Sequence, residues 1–168
     1  MTSTFPIEGL ARRPQAFQAE DESWNVHASC VVLAGVAVMV SGPAGSGKTS
    51  LCHDLVAKGA YWVADDRVVI ALADGLLKLT APPALQGLVA KPGGGPVRVT
   101  GMMPFEASPE NLLWVELVNG VTDARPLRIQ FSKMAANCLQ MPARPSQTMI
   151  ANLQQYLADL HHLADLHP

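Results

Sequence analysis

The stretch that most constrains this chain is Gly42-Pro43-Ala44-Gly45-Ser46-Gly47-Lys48-Thr49, which matches G-x-x-x-x-G-K-T. Val36-Ala37-Val38-Met39-Val40 before it is an unbroken apolar run suited to a buried strand. After it, Ser50 to Lys58 places Leu51, Leu55 and Val56 on one helical face, and Gly59 supplies a stop. Strand, glycine-rich turn and helix in that order let backbone N–H groups turn inward around phosphate oxygens, while the helix N-terminus adds favourable partial charge. In such a setting Lys48 reaches the β- and γ-phosphates and the Thr49 hydroxyl takes a place on Mg²⁺. The competing reading is a chance glycine-rich turn. Average composition yields this string in roughly one chain per hundred or fewer, and the flanking elements reduce that further. The nucleotide contacts are therefore assigned to Gly42, Pro43, Ala44, Gly45, Ser46, Gly47, Lys48, Thr49 and Ser50.

Two further segments carry acid–base or metal chemistry. Tyr61-Trp62-Val63-Ala64 reads as a strand that ends at Asp65-Asp66. Strand ends beside a phosphate loop are where ligands bind in open α/β sheets. One carboxylate there can hold Mg²⁺, directly or through water, and the other can take a proton from an attacking hydroxyl. A plain turn pair capping the following hairpin is the alternative. His27, just ahead of the first strand, is on spacing alone more often a surface or core residue than a catalytic one. His53, His161, His162 and His167 read as structural, the last three in a solvated tail.

The remaining composition narrows the class. The 168 residues fit one domain; apolar residues make up 49% and charged residues 15%. A lightly charged surface of this kind favours self-association, so a homo-oligomer is expected. With 12 basic and 14 acidic residues, formal net charge −2, nothing recommends a nucleic-acid partner. Cys30, Cys52 and Cys138 have neither metal-ligand spacing nor a disulfide framework. The first 25 residues lack the apolar core of a signal peptide, and the run from Cys30 to Val40 is about half of a membrane span's roughly 20 residues. A cytoplasmic protein without a membrane partner is the expectation.

Residues 1–23 mix Pro6, Pro14, Arg12-Arg13 and Glu20-Asp21-Glu22 and read as a loosely held arm, leaving 24–168 as a single domain. Ala34-Gly35 and Ala73-Asp74-Gly75 read as hairpin turns. Strands are expected at 96–99, 112–118 and 127–129. The stretch Lys91-Pro92-Gly93-Gly94-Gly95-Pro96 reads as a mobile loop. A helix over about 147–166, capped by Ser146, aligns Ile150, Leu153, Leu157 and Leu160. That stripe suits core packing, a subunit interface or a partner.

His27-Ala28, the 42–49 loop, Lys58-Gly59-Ala60 and Val63-Ala64-Asp65-Asp66 together resemble the catalytic domain of the bacterial HPr kinase/phosphorylase family. Ala81-Pro82-Pro83-Ala84-Leu85 resembles its short alphaproteobacterial form. The similarity is strong from His27 to about Gly87, weaker to Pro145 and absent from the arm. It implies an α/β P-loop kinase fold related to phosphoenolpyruvate carboxykinase, with a mixed sheet and flanking helices. It also implies transfer of the ATP γ-phosphoryl group to a serine of HPr, the phosphocarrier of the sugar phosphotransferase system. On that analogy Asp66 is the general base, His27 orients or tunes it, Lys48 neutralises charge on the transferred group, and Thr49 ligates Mg²⁺; Asp65, from its place at the strand end, is the carboxylate expected to join it there.

This sequence departs from the family at three places. Ser50 stands where an acidic residue is usual. Ala90-Lys91-Pro92-Gly93-Gly94-Gly95 stands where the family has Glu-x-Arg-Gly-x-Gly. Gln147 stands where a loop linked to dephosphorylation, here Met141 to Gln147, ends in arginine. These losses weigh against the reverse phosphorylase reaction more than against the kinase. The reading is thus an ATP- and Mg²⁺-dependent HPr serine kinase. The alternatives are a kinase of the same fold acting on another protein or a small alcohol, and a nucleotide-sensing module with little turnover.

Overall fold

The computed structural model describes residues 4–91 and 93–166, with side chains as far as residue 160. The side chains of His161, His162 and His167 lie outside the described residues, as does Pro92 of the 91–96 loop.

A seven-stranded mixed sheet forms the centre, in the order β1 (Ile7–Glu8), β13 (Arg125–Phe131), β14 (Met134–Pro142), β12 (Leu112–Val118), β5 (Val36–Ser41), β4 (Ser29–Leu33) and β6 (Tyr61–Ala64). A five-stranded antiparallel sheet runs β11 (Phe105–Ala107), β8 (Leu76–Thr80), β7 (Val68–Ala73), β3 (Trp24–Val26) and β2 (Ala16–Gln18). The strands β9 (Leu88–Ala90) and β10 (Pro96–Arg98) form a separate hairpin, closed by Lys91 N donating to Gly95 O at 2.9 Å. Among the described residues two α-helices complete the fold, α1 (Lys48–Ala57) and α2 (Gln147–Leu166).

The central strands are buried on both faces, which is why they read as continuous apolar runs and not as alternating ones. Cys30, Val32, Met39 and Trp114 join Trp24, Ile70 and Leu77 from the five-stranded sheet. Their neighbours Val31, Val38, Val40 and Val115 join Leu51 and Leu55 of α1 and Ile150, Leu153 and Leu157 of α2. Both helices therefore cover one face and the smaller sheet covers the other. The α2 stripe is used in the core, with Leu160 partly buried at its edge. Ser146 caps this helix, its Oγ accepting from Met149 N at 3.2 Å.

Strand direction decides where the chemistry collects. β5, β12 and β14 are parallel, β4 is antiparallel to β5, and β6 is antiparallel to β4. The carboxyl ends of β5, β6, β12 and β14 and the amino end of β4 consequently share one edge. The 42–49 loop, Asp65-Asp66 and residues 27–29 all emerge there.

The arm differs from expectation. Residues within 4–23 are built into both sheets: β1 pairs with β13, β2 pairs with β3, and Phe5 and Ile7 are 3% and 2% exposed. The Phe5 ring packs edge-on against Trp24 and Phe131 at 5.5 and 5.2 Å. The apolar residues on either side of Pro6 show no period, so their burial is visible only once the sheets they cap exist. Strand β14 likewise has no local signal, and β13 is longer than the expected 127–129.

Candidate active site

The loop after β5 leaves the sheet so tightly that a Cβ at position 42 would lie 2.7 Å from Ser46 Oγ and 2.9 Å from the Leu117 carbonyl oxygen. Gly42 is required by that close approach. Gly47, at φ 95°, makes the left-handed turn into α1, and Leu51 N donates to its carbonyl at 2.9 Å. Lys48 Nζ bends back across the loop and donates to the carbonyls of Gly42 at 2.9 Å and Pro43 at 3.1 Å. Burial pulls the Lys48 ammonium below its ordinary value, with Asp66 and then Asp65 opposing the shift.

Asp65 lies beneath the loop, 2% exposed, and both its oxygens are engaged. Oδ1 accepts from Ser29 Oγ at 2.6 Å and Thr49 Oγ1 at 3.0 Å, and Oδ2 accepts from Ala90 N at 2.7 Å. Such saturation is what a buried carboxylate requires. Asp66 is its opposite in exposure. Its backbone is left-handed at φ 67°, its N–H donates to Ser29 Oγ at 3.2 Å, and its side chain is 66% exposed. That strained conformation turns the carboxylate out of the strand line toward His27, whose Nε2 lies 3.2 Å from Asp66 Oδ1.

His27, Lys48, Thr49, Ser50 and Asp66 line one cleft of about 370 Å³, together with Lys91. Ala44, Gly45 and Gly47 of the loop border the same cleft, whereas Gly42 and Pro43 face a neighbouring cavity. Asp65 is the floor of the cleft and not its lining. Thr49 Oγ1 and the Asp65 carboxylate are hard oxygen donors in contact with each other, a donor pair that suits Mg²⁺ completed by phosphate oxygens and water. Among the described residues no three His, Cys, Asp or Glu side chains cluster as a self-sufficient metal site. No described helix is long and apolar enough to cross a membrane.

Two contributors escaped the sequence reading. Ser29 is a lone polar residue of a buried strand, yet its hydroxyl links the Asp65 carboxylate to the Asp66 N–H. Arg144, at φ 51°, straps the loop from the far side: its Nε donates to Gly45 O at 3.0 Å and its N–H to Ser46 O at 2.7 Å. Position 144 falls in the Met141 to Gln147 segment that resembles a later family loop, but nothing local connects it with Gly45.

Residues 19–151 match the family model described as HPr Serine kinase C-terminal domain. The HPr kinase/phosphorylase of Bordetella petrii is 27% identical over 131 residues, covering 76% of this chain and 42% of that protein. That of Xylella fastidiosa is 31% identical over 106 residues, covering 61% of this chain and 34% of that protein. The chain thus spans less than half the length of these relatives. The solved structure of the Hpr(Ser) kinase/phosphatase from Coxiella burnetii superposes with a TM-score of 0.65 at 18% identity, covering 83% of this chain and 97% of that one. The likeness to that structure is one of fold.

Proposed function

Because the chain belongs to the HPr serine kinase C-terminal domain family, we propose that it is an ATP- and Mg²⁺-dependent serine kinase whose acceptor is the HPr phosphocarrier protein. The observation that carries the reading is the His27 Nε2–Asp66 Oδ1 contact at 3.2 Å on a cleft shared with Lys48 and Thr49. It supports the reading because a carboxylate and a phosphate-loop cation share one surface, as phosphoryl transfer needs.

Asp66 accepts the proton of the serine hydroxyl as that oxygen bonds to the γ-phosphorus. The bond from γ-phosphorus to the β,γ-bridging oxygen breaks, and ADP leaves with that electron pair. His27 holds Asp66 in the orientation that meets the hydroxyl. Lys48, detached from the carbonyls of Gly42 and Pro43, neutralises charge on the transferred group, and the N–H groups of Ala44, Gly45 and Gly47 to Ser50 cradle the phosphates. Thr49 and Asp65 would hold Mg²⁺, which when bound neutralises phosphate charge. Asp65 acts chiefly by fixing the Thr49 hydroxyl.

A second reading, a nucleotide-binding module with little turnover, draws on one feature. Where the family has the glutamate of its signature, this chain has Ala90, which offers Asp65 only a backbone N–H. Pro92 and Gln147, which stand where the family has arginines, weigh against phosphorolysis of phosphoserine.

The test is transfer of labelled γ-phosphate from Mg-ATP to HPr, with Asp66→Asn as control. The kinase reading expects labelling of one serine, reduced by about 10² or more in the variant at unchanged ATP affinity. ATP binding without labelling of HPr would move the function to another acceptor or to the nucleotide-binding module.

A further inference from the structure

We infer that the N-terminal arm and the phosphate loop form a second anion site, which takes a carboxylate or phosphate group carried by the molecule that receives the phosphoryl group. Its foundation is Glu116 of β12, 2% exposed, beside Ser41 in the sheet register. Its Oε1 accepts from Ala11 N at 2.8 Å and Gln140 Nε2 at 3.0 Å, and its Oε2 accepts from Arg12 N at 2.9 Å. A carboxylate buried this deeply must be supplied with donors, and two successive N–H groups of the arm supply them. A second peg follows three residues on, where His27 N donates to Gln15 O at 2.8 Å.

Between these pegs the arm walls a cavity of about 270 Å³ with Arg12, Arg13, His27, Gly42 and Ala44 on its sides. Among the described residues no aspartate or glutamate lines it. Arg13 is itself held, donating to Ile7 O and Glu8 Oε1, each at 3.1 Å. Arg12 has no carboxylate partner among the described residues. The Arg12 guanidinium, free of such a partner, and the His27 imidazole line this pocket and favour an oxyanion, which a guanidinium can bind in bidentate fashion, while Arg13 lines it with its own guanidinium paired to Glu8. His27 borders both this cavity and the cleft holding Asp66. A group bound here is therefore a neighbour of the reacting hydroxyl. Arg12 and Arg13 precede the stretch that matches the family model, residues 19–151. Assignment of the oxyanion to the acceptor rests on the kinase reading; the cavity and its charge do not.

The test is NMR of the arginine Nε–H groups in protein saturated with Mg-AMP-PNP, so that the phosphate loop is filled. Inorganic phosphate and sodium acetate are titrated separately. Saturable shifts of Arg12 and Arg13 are expected, weakened at least about fivefold for the remaining arginine in Arg12→Ala, a variant that keeps the N–H on Glu116. A response to phosphate alone assigns a phosphorylated acceptor, to acetate alone a carboxylate-bearing one, and to both an unselective oxyanion site. No arginine shift, shifts confined to phosphate-loop amides, or an Arg12→Ala titration equal to wild type overturns the proposal. If AMP-PNP fails to bind, the kinase reading falls, and the same titrations without nucleotide still read the arginines.

Discussion

Ser29 Oγ donates to Asp65 Oδ1 at 2.6 Å and accepts from Asp66 N at 3.2 Å, so one buried hydroxyl ties the Asp65 carboxylate to the backbone of Asp66. Ser29→Ala should cost about 1–3 kcal/mol of stability, because Asp65 loses a donor and the Asp66 N–H loses its acceptor. Urea midpoints give that number. If the hydroxyl also aims Asp66, kcat should fall roughly tenfold while the KM for ATP moves less than about twofold. A loss of stability with kcat intact would confine Ser29 to a structural role.

Lys48 supplies a pH dependence whose sign follows from its shift. Burial lowers its pKa from the ordinary 10.5, and the charged form is the one that binds phosphate. Nucleotide affinity should therefore begin to decline on the alkaline side below pH 10.5, as the ammonium loses its proton. Dissociation constants for AMP-PNP measured from pH 7 upward test this. In Lys48→Arg the alkaline decline should vanish, since a guanidinium stays charged.

Arg144 can be dissected with two substitutions. Both Arg144→Ala and Arg144→Gly remove the Nε bond to Gly45 O, but glycine alone tolerates φ 51° without strain. Each should weaken nucleotide binding by about fivefold, the equivalent of one hydrogen bond of about 1 kcal/mol. Arg144→Gly should be the more thermostable of the pair. Calorimetric affinities and melting curves separate the loop's strap from its backbone strain. Wild-type affinity in both would show that the loop keeps its shape unaided.

The three cysteines should be silent in the native protein. All are buried; desolvation raises the Cys30 and Cys52 thiols and pushes Cys138 up to about 12. At pH 8 a disulfide reagent should modify none of them on the timescale that labels all three in denaturant. A native thiol that reacts promptly would locate an opening of the core.

Much of the fold was legible because its signals are local. The turn at Ala34-Gly35 takes φ 52° and 75°, and Asp74-Gly75 takes φ 53° and 76°, as short hairpins require. Strand β12 runs from Leu112 to Val118 and helix α2 begins after its Ser146 cap, both where the sequence placed them. Strand β14 was not legible. Ala135, Asn137 and Gln140 have little intrinsic strand preference, and the segment is extended because it finds β12 on one side and β13 on the other.

The candidate site divides along the same line. By itself the amino-acid order determined the phosphate loop, the helix behind it and the placement of Asp65-Asp66 at a strand end, because each is a matter of adjacent residues and their backbone freedom. Folding in three dimensions decided which partners those residues meet. Ser29 reaches Asp65 across 36 positions, Arg144 reaches Gly45 across 99, and the arm reaches Glu116 across 105. Contacts of that range follow from strand order and direction, which set one common edge for four carboxyl ends. No periodicity in a single chain segment records that order.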